Sequence, residues 1–243
     1  MKRYCIFLIL FFYSYFSYSQ FNDSITKYIS YASTGVINKT NDGSSYVLNN
    51  NFRFNIKKKD VSLNTAAGWI YGEQNGNLTN NDFSSVVDFN LHRTFPHFYY
   101  WGLATYDKSR SLKINDRVQA GIGIAYNLIE KKGVALNLSD GILFEKSDIF
   151  LNDTTRDVYN TFRNSFRLRY RFIIKEIIIF DGTHFIQNSL SDGKDYILKS
   201  NNSLSIKLKK WMSFTAALMY NKLNRTKREN LLITYGLTVE KYF

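Results

Sequence analysis

The sequence predicts an all-β fold, a transmembrane antiparallel up-and-down β-barrel of about 12 strands. Three observations carry this. Segments of about ten residues alternate apolar and polar side chains along most of the chain. Aromatic residues make up 17% of it, yet beyond the N-terminus no run is long and apolar enough for a membrane helix. The connections between the segments are alternately tight and long, as in barrels with short periplasmic turns and longer outer loops.

Successive strand side chains point to opposite faces, so parity separates two surfaces. Tyr46, Leu48, Phe52, Phe54 and Ile56 oppose Val47, Asn49, Asn51, Arg53 and Asn55. Leu63, Ala67, Trp69 and Tyr71 oppose Ser62, Asn64, Ala66 and Gly68. Val118, Ile122, Ile124 and Tyr126 oppose Arg117, Gln119, Gly121 and Gly123, and Leu136, Leu138, Ile142 and Phe144 oppose Asn137, Ser139, Gly141 and Glu145. Stretches 28–38, 98–106 and 174–187 carry apolar residues on both parities and leave their facing open. The expected strands are 27–39, 44–57, 60–73, 82–92, 96–107, 116–129, 133–146, 157–171, 174–189, 195–209, 211–223 and 230–243. Tight turns fall at 57–60, 92–95, 130–133, 172–175 and 209–210. Longer outer connections fall at 73–81, 107–115, 146–156 and 222–229. Outward aromatics near strand ends, including Tyr46, Tyr71, Tyr126, Tyr170, Phe172 and Tyr220, suit two interfacial girdles.

At the N-terminus, Lys2 and Arg3 precede an apolar run from Tyr4 to Phe16 and then Ser17-Tyr18-Ser19, the pattern of a cleavable secretory signal over residues 1–19. Residues 20–243 then form a single barrel domain. Cys5 lies inside the signal, so the mature chain uses no thiol chemistry and no cysteine metal site. At the other end Tyr235, Leu237, Val239 and Phe243 share the apolar parity. Such a row ending on an aromatic resembles the signal read by the barrel assembly machinery, with Lys241 departing from the pattern.

Net charge is +12, and +10 once Lys2 and Arg3 leave with the signal. An exported chain does not ordinarily meet nucleic acid, so no nucleic-acid partner is expected; the surroundings are outer-membrane lipid. The basic residues are placed by parity. Arg163, Arg167, Arg169 and Arg171 oppose Phe162, Phe166, Leu168 and Tyr170, and Arg53 and Arg117 also have the polar parity. If the apolar set faces lipid, these six face the lumen. Clusters of arginine favour anions in pores, so small anions are candidate partners. The alternative is a network in which the arginines pair with Asp88, Glu145 and Glu240 and fill a narrow barrel.

The run Gly121-Ile122-Gly123-Ile124-Ala125-Tyr126-Asn127-Leu128, with a second glycine-bearing strand after it and Tyr235-Gly236-Leu237-Thr238-Val239 near the end, resembles the DUF481 family. That resemblance implies a salt-induced type of outer-membrane protein, a barrel in the cell outer membrane of a Gram-negative bacterium with undefined activity. The Tyr-, Phe-, Asn- and Lys-rich composition is also similar to that of Bacteroidetes-type secreted proteins.

No enzyme is expected. His92 and His97 flank a turn at Pro96, His184 follows Asp181-Gly182-Thr183, and no Gly-x-Ser-x-Gly elbow or metal-ligand spacing accompanies them. No cofactor and no metal site are expected. The function reading is a passive structural or narrow pore-like barrel with a basic lumen. Two other readings fit the residues: a module that binds through its outer loops, and a soluble secreted lipocalin-like barrel with the apolar parity inward. Leu168→Arg tests the facing. On a lipid face at mid-membrane it should cost roughly 2–4 kcal/mol, read by urea unfolding in lipid vesicles, whereas Arg167→Leu should disturb insertion far less.

Overall fold

The computed structural model describes residues 26–243 apart from Asp153, with the side chains of Arg93 and Thr94 also outside that description. The expected signal, residues 1–19, lies outside the described residues. The chain forms β1 (Lys27–Lys39), β2 (Ser44–Lys58), β3 (Val61–Gln74), β4 (Asn77–Phe95), β5 (Phe98–Ser109), β6 (Ile114–Lys131), β7 (Val134–Phe150), β8 (Arg156–Ile174), β9 (Ile178–Ser189), β10 (Tyr196–Lys209), β11 (Met212–Leu223) and β12 (Arg228–Tyr242). Each pairs antiparallel with its sequence neighbours, and β1 pairs with β12 to close the barrel. The closing seam runs from Tyr28 opposite Tyr242 to Gly35 opposite Tyr235. It is tied off where the Phe243 amide donates to the Lys27 carbonyl at 2.9 Å and the Thr26 amide donates to the Phe243 carbonyl at 3.1 Å. Closure leaves no strand edge, which is what a sheet surrounded by hydrocarbon requires.

The parity expected from the sequence is the parity observed. Ile122, Ile124, Ile142, Phe162, Leu231, Ile233, Tyr235 and Leu237 are exposed on the outside, while Gln119, Leu143, Glu145 and Arg163 point inward and are buried. Tyr126 packs on Phe98 at 4.6 Å near the end that carries both termini, the periplasmic end for a barrel of this kind, and Tyr46 and Trp69 gather round Tyr71 near the other.

Three stretches had no facing from sequence, and tertiary packing assigns it. Tyr28 on β1, Trp101 and Leu103 on β5, and Ile179 on β9 turn inward, because the lumen holds apolar material of its own. Trp101, Leu103, Ala125 and Leu143 form one buried cluster inside the barrel.

The outer connections are shorter than the sequence reading expected. The supposed loop at 73–81 is a two-residue hairpin, because Asn75 (φ 51°) and Gly76 (φ 76°) both take the left-handed conformation that a tight hairpin turn needs. β4 therefore starts at Asn77 instead of 82. β8 runs on to Ile174 and β9 begins only at Ile178, moving a periplasmic turn from 172–175 to 175–177. The strands extend past the lipid band and take up residues that composition had assigned to loops.

Candidate functional site

The lumen holds the main concentration of buried charge among the described residues, and the neighbouring strands β4–β10 build most of it. On β8, Arg163 donates from Nε to Glu145 Oε2 at 2.7 Å and from Nη2 to Asp195 Oδ1 at 2.9 Å. Arg163 and Glu145 are both 0% exposed. Glu145 also accepts from Gln119 Nε2 at 2.6 Å, Ser147 at 2.9 Å and Tyr159 at 2.7 Å. Both carboxylate oxygens are thereby satisfied, which a buried ion pair needs if its attraction is to offset desolvation.

The contacts then cross the barrel. Gln119 on β6 reaches Gln187 on β9 at 3.0 Å, and Lys199 on β10 reaches Asp107 on β5 at 3.0 Å. Asp107 also receives Arg117 at 2.8 Å. Strands that are not neighbours in the sheet are thus joined through the interior, and the lumen is filled at this level.

Above the polar layer lies an apolar lid. Leu112, in the β5–β6 connection, and Ile114 pack against Ile149, Ile197 and Leu223, all buried. The connection is held down on the far side of the mouth. Thr226 Oγ1 donates to the Leu112 carbonyl at 3.3 Å, and Asn230 Nδ2 donates to Ser111 Oγ at 3.0 Å. Beside it Arg225 bridges Asp157 at 2.7 Å and Asp195 at 3.0 Å.

Below the polar layer, Arg167 donates to Ser139 Oγ at 2.9 Å and to Asp88 Oδ2 at 2.8 Å. Its guanidinium lies 5.7 Å from the Trp101 ring centre and 5.8 Å from that of Phe185. Trp101 lies against Gly123 and Gly141, where a Cβ would collide with the indole as well as with the facing carbonyls of Asp140 and Ile122, and it donates from Nε1 to the Ile124 carbonyl at 3.0 Å. The two glycines are a floor for the tryptophan.

The register puts all six arginines on the parity opposite the exposed apolar rows of β2, β6 and β8. Arg163, Arg117 and Arg167 belong to the plug. Arg171 pairs with Asp181 at 3.3 Å in the periplasmic half, where Lys207 pairs with Glu240 at 3.4 Å. Arg53 and Arg169 are exposed to the lumen and have no carboxylate within 4.0 Å among the described residues. Of the expected carboxylates, Asp88 and Glu145 pair with arginines, whereas Glu240 pairs with Lys207. Asp107 and Asp195 were not singled out from sequence: they stand at the ends of the expected strands 96–107 and 195–209, and Asp107 also opens an expected outer connection. Lys209 stands past a bulge and lies over the Trp211 ring at 5.9 Å, so it is at the rim and not inside. Tyr235, Leu237, Val239 and Phe243 are exposed on the outer surface.

The family sequence model described as a protein of unknown function, DUF481, matches residues 32–239. The chain belongs to the DUF481 family. Among curated proteins none matches it in sequence. In fold this DUF481 protein is similar to the NanC porin, with 8% identity, a TM-score of 0.52, and coverage of 89% of this chain and 99% of that one. It is also similar to the COG4313 outer membrane channel from Pseudomonas putida F1, with 10% identity, a TM-score of 0.50, and coverage of 90% and 95%. At these identities the likeness is one of architecture, an outer-membrane barrel.

Of the three histidines in this DUF481 protein, His92 and His97 line an open periplasmic cleft of about 500 Å³ with Lys57, Asp60 and Glu130. Among the described residues no three metal-ligating side chains come together. His184 lies on the outer surface with Nδ1 2.9 Å from Ser200 Oγ, a partner that no local motif reveals.

The packing yields two expectations. Glu145→Ala leaves Arg163 buried beside a void and should cost about 3–5 kcal/mol, while Glu145→Leu combined with Arg163→Met should cost less than the single change; urea titration in vesicles reads both. Gly123→Val displaces Trp101 and should destabilise by about 1–3 kcal/mol with a shift in tryptophan fluorescence, against no effect of Gly193→Ala, where a Cβ meets nothing within 4 Å.

Proposed function

We infer that this outer-membrane barrel is passive and shut at rest: a narrow pore-like barrel with a basic lumen, closed across its outer half by its own side chains. The supporting observation is the plug, in which Arg163, Glu145 and Gln119 have no solvent exposure and contacts join strands on opposite sides of the lumen. Long outer loops would have favoured binding at the surface, and the short connections weigh against that reading. The apolar parity on the outside weighs against a lipocalin-like barrel, which needs it within.

The lumen is basic in excess of its carboxylates. Arg117 and Lys199 share Asp107, the Nη1 atom of Arg117 is buried with no hydrogen-bond partner among the described residues, and no carboxylate of the described residues lies within 4.0 Å of Arg53 or Arg169. Positive clusters favour anions, so small anions are the solutes an opened lumen would pass. No cofactor or catalytic residue enters this reading. Phe243, with Val239, Leu237 and Tyr235 on the outside of β12, supplies the apolar row that the assembly machinery would read, and residues 1–19 the export signal.

Protein purified from outer membranes and inserted into planar bilayers under a KCl gradient tests it. The wild type should show no sustained steps. Clearing the plug with Leu112→Gly, Ile114→Gly, Glu145→Ala and Arg163→Ala should give steps that favour chloride, and adding Arg53→Gln and Arg169→Gln should abolish that preference. Sustained conductance by the wild type would overturn the closed resting state.

A further inference from the structure

The outside of the barrel is not uniformly apolar. The outward rows of β4–β6 and β11–β12 are mainly apolar, with hydroxyls at Ser85, Tyr100, Tyr106 and Tyr235, and on the outside of β1–β2 Tyr31 and Ser33 donate to Asn50 Oδ1 at 2.8 and 3.1 Å; none of these side chains is a carboxylate. Strands β7–β10 differ. Asp140 sits on the outside of β7 between Leu138 and Ile142 and opposite Ile124, in the middle of the apolar band. Its carboxylate accepts from Asn164 Nδ2 on β8 at 2.9 Å, and Asn188 on β9 stands opposite Asn164. A second polar group adjoins on β8–β10. Tyr170 donates to Asn202 Oδ1 at 2.6 Å, Asn202 Nδ2 donates to Ser200 Oγ at 3.2 Å, and Ser200 lies 2.9 Å from His184 Nδ1. With Ser200 as donor to Nδ1, the His184 Nε2 carries the ring proton.

An ionisable side chain at this depth is expensive against acyl chains and calls for a protein partner. One amide does not saturate a carboxylate, which has about four acceptor positions.

We propose that the outer face of β7–β9 is a self-association surface, on which a second copy of this chain packs about a two-fold axis along the membrane normal through β8. The layout of the polar groups fits that symmetry. A two-fold contact is isologous, so each group on β7 of one copy meets the mirrored position on β9 of the other. By register Asp140 is level with Phe166, between the Ser139–Arg167 and Ile142–Asn164 pairs, and Phe166 is opposite Ile186. The outward residues on either side of Ile186 are His184 and Asn188, and both carry donors. The axis therefore brings a donor of each copy towards the Asp140 of the other, with Phe166 packing on its own symmetry mate. A lipid tail offers no donor.

The test is made on the full chain in a Cys5→Ser background, with Phe166→Cys as the probe near the axis and Ile122→Cys and Leu218→Cys as controls on other faces. In native membranes under mild oxidant, Phe166→Cys should give a disulfide-linked dimer and the controls none. Mass measurement in lipid nanodiscs should give a dimer for the wild type and a monomer for Asp140→Leu combined with Asn164→Leu. That variant removes polar groups from a lipid face, so it should still insert, as heat-modifiable migration will show; the cysteine probes stand whether or not it does. A monomeric wild type, a dimer unaffected by the leucines, crosslinks through the control positions, or capture of a different polypeptide at position 166 would each overturn the proposal.

Discussion

Closure of the β1–β12 seam is the constraint on which the rest of the structure depends. A sheet in hydrocarbon cannot leave strand edges unpaired, since each orphaned amide or carbonyl there costs several kcal/mol. Pairing Tyr28 with Tyr242 through to Gly35 with Tyr235 removes both edges at once and fixes which parity of every strand faces outward. The inward parity must then be accommodated in a tube with no solvent-facing side of its own. All the chemistry of the lumen follows from that confinement.

Within a narrow tube, arginines on a single face of β8 cannot remain independent charges. The structure resolves the problem in layers. Arg163 is surrounded by Glu145 and Asp195, Arg167 spans to Asp88 beneath the Trp101 ring, and Arg171 pairs with Asp181. The apolar cluster of Leu112, Ile114, Ile149, Ile197 and Leu223 over the outer mouth excludes water from the layer beneath. That lowers the local dielectric and makes the pairs below it mutually dependent. The contrast expected between the two faces of β8 is narrower for this reason: removing Arg167 strips Asp88 of its ion pair and so is not a neutral change. The proposed closed resting state rests on lid and plug together.

The outer surface obeys a second set of demands. Most of it is what lipid requires, but Asp140, Asn164, Asn188 and the Tyr170–Asn202–Ser200–His184 chain depart from that rule on four adjacent strands. A smaller uncharged group, Tyr31 and Ser33 donating to Asn50, lies on the outside of β1–β2. The carboxylate of Asp140 is what sets the β7–β10 side apart.

Much of this was legible in the sequence. Alternation over segments such as 116–129 and 133–146 determined strands, facing and the six inward arginines, because a strand's period of two is local and survives without tertiary information. The family resemblance rested on Gly121-Ile122-Gly123 and is shown by the match over residues 32–239. The reason for these glycines was not legible, since Gly121 is pressed by Ile142 and Leu143 and Gly123 by Asp140 and Trp101, all on other strands. Asn75-Gly76 carried a hairpin signal that loop-like composition concealed. What only the tertiary structure decided is what meets across the barrel: Lys199 with Asp107, Gln119 with Gln187, Leu112 with Leu223, Ser200 with His184. Parity says which way a side chain points. Curvature, register and the stagger of closure determine what it finds there, and these are properties of the whole ring of strands.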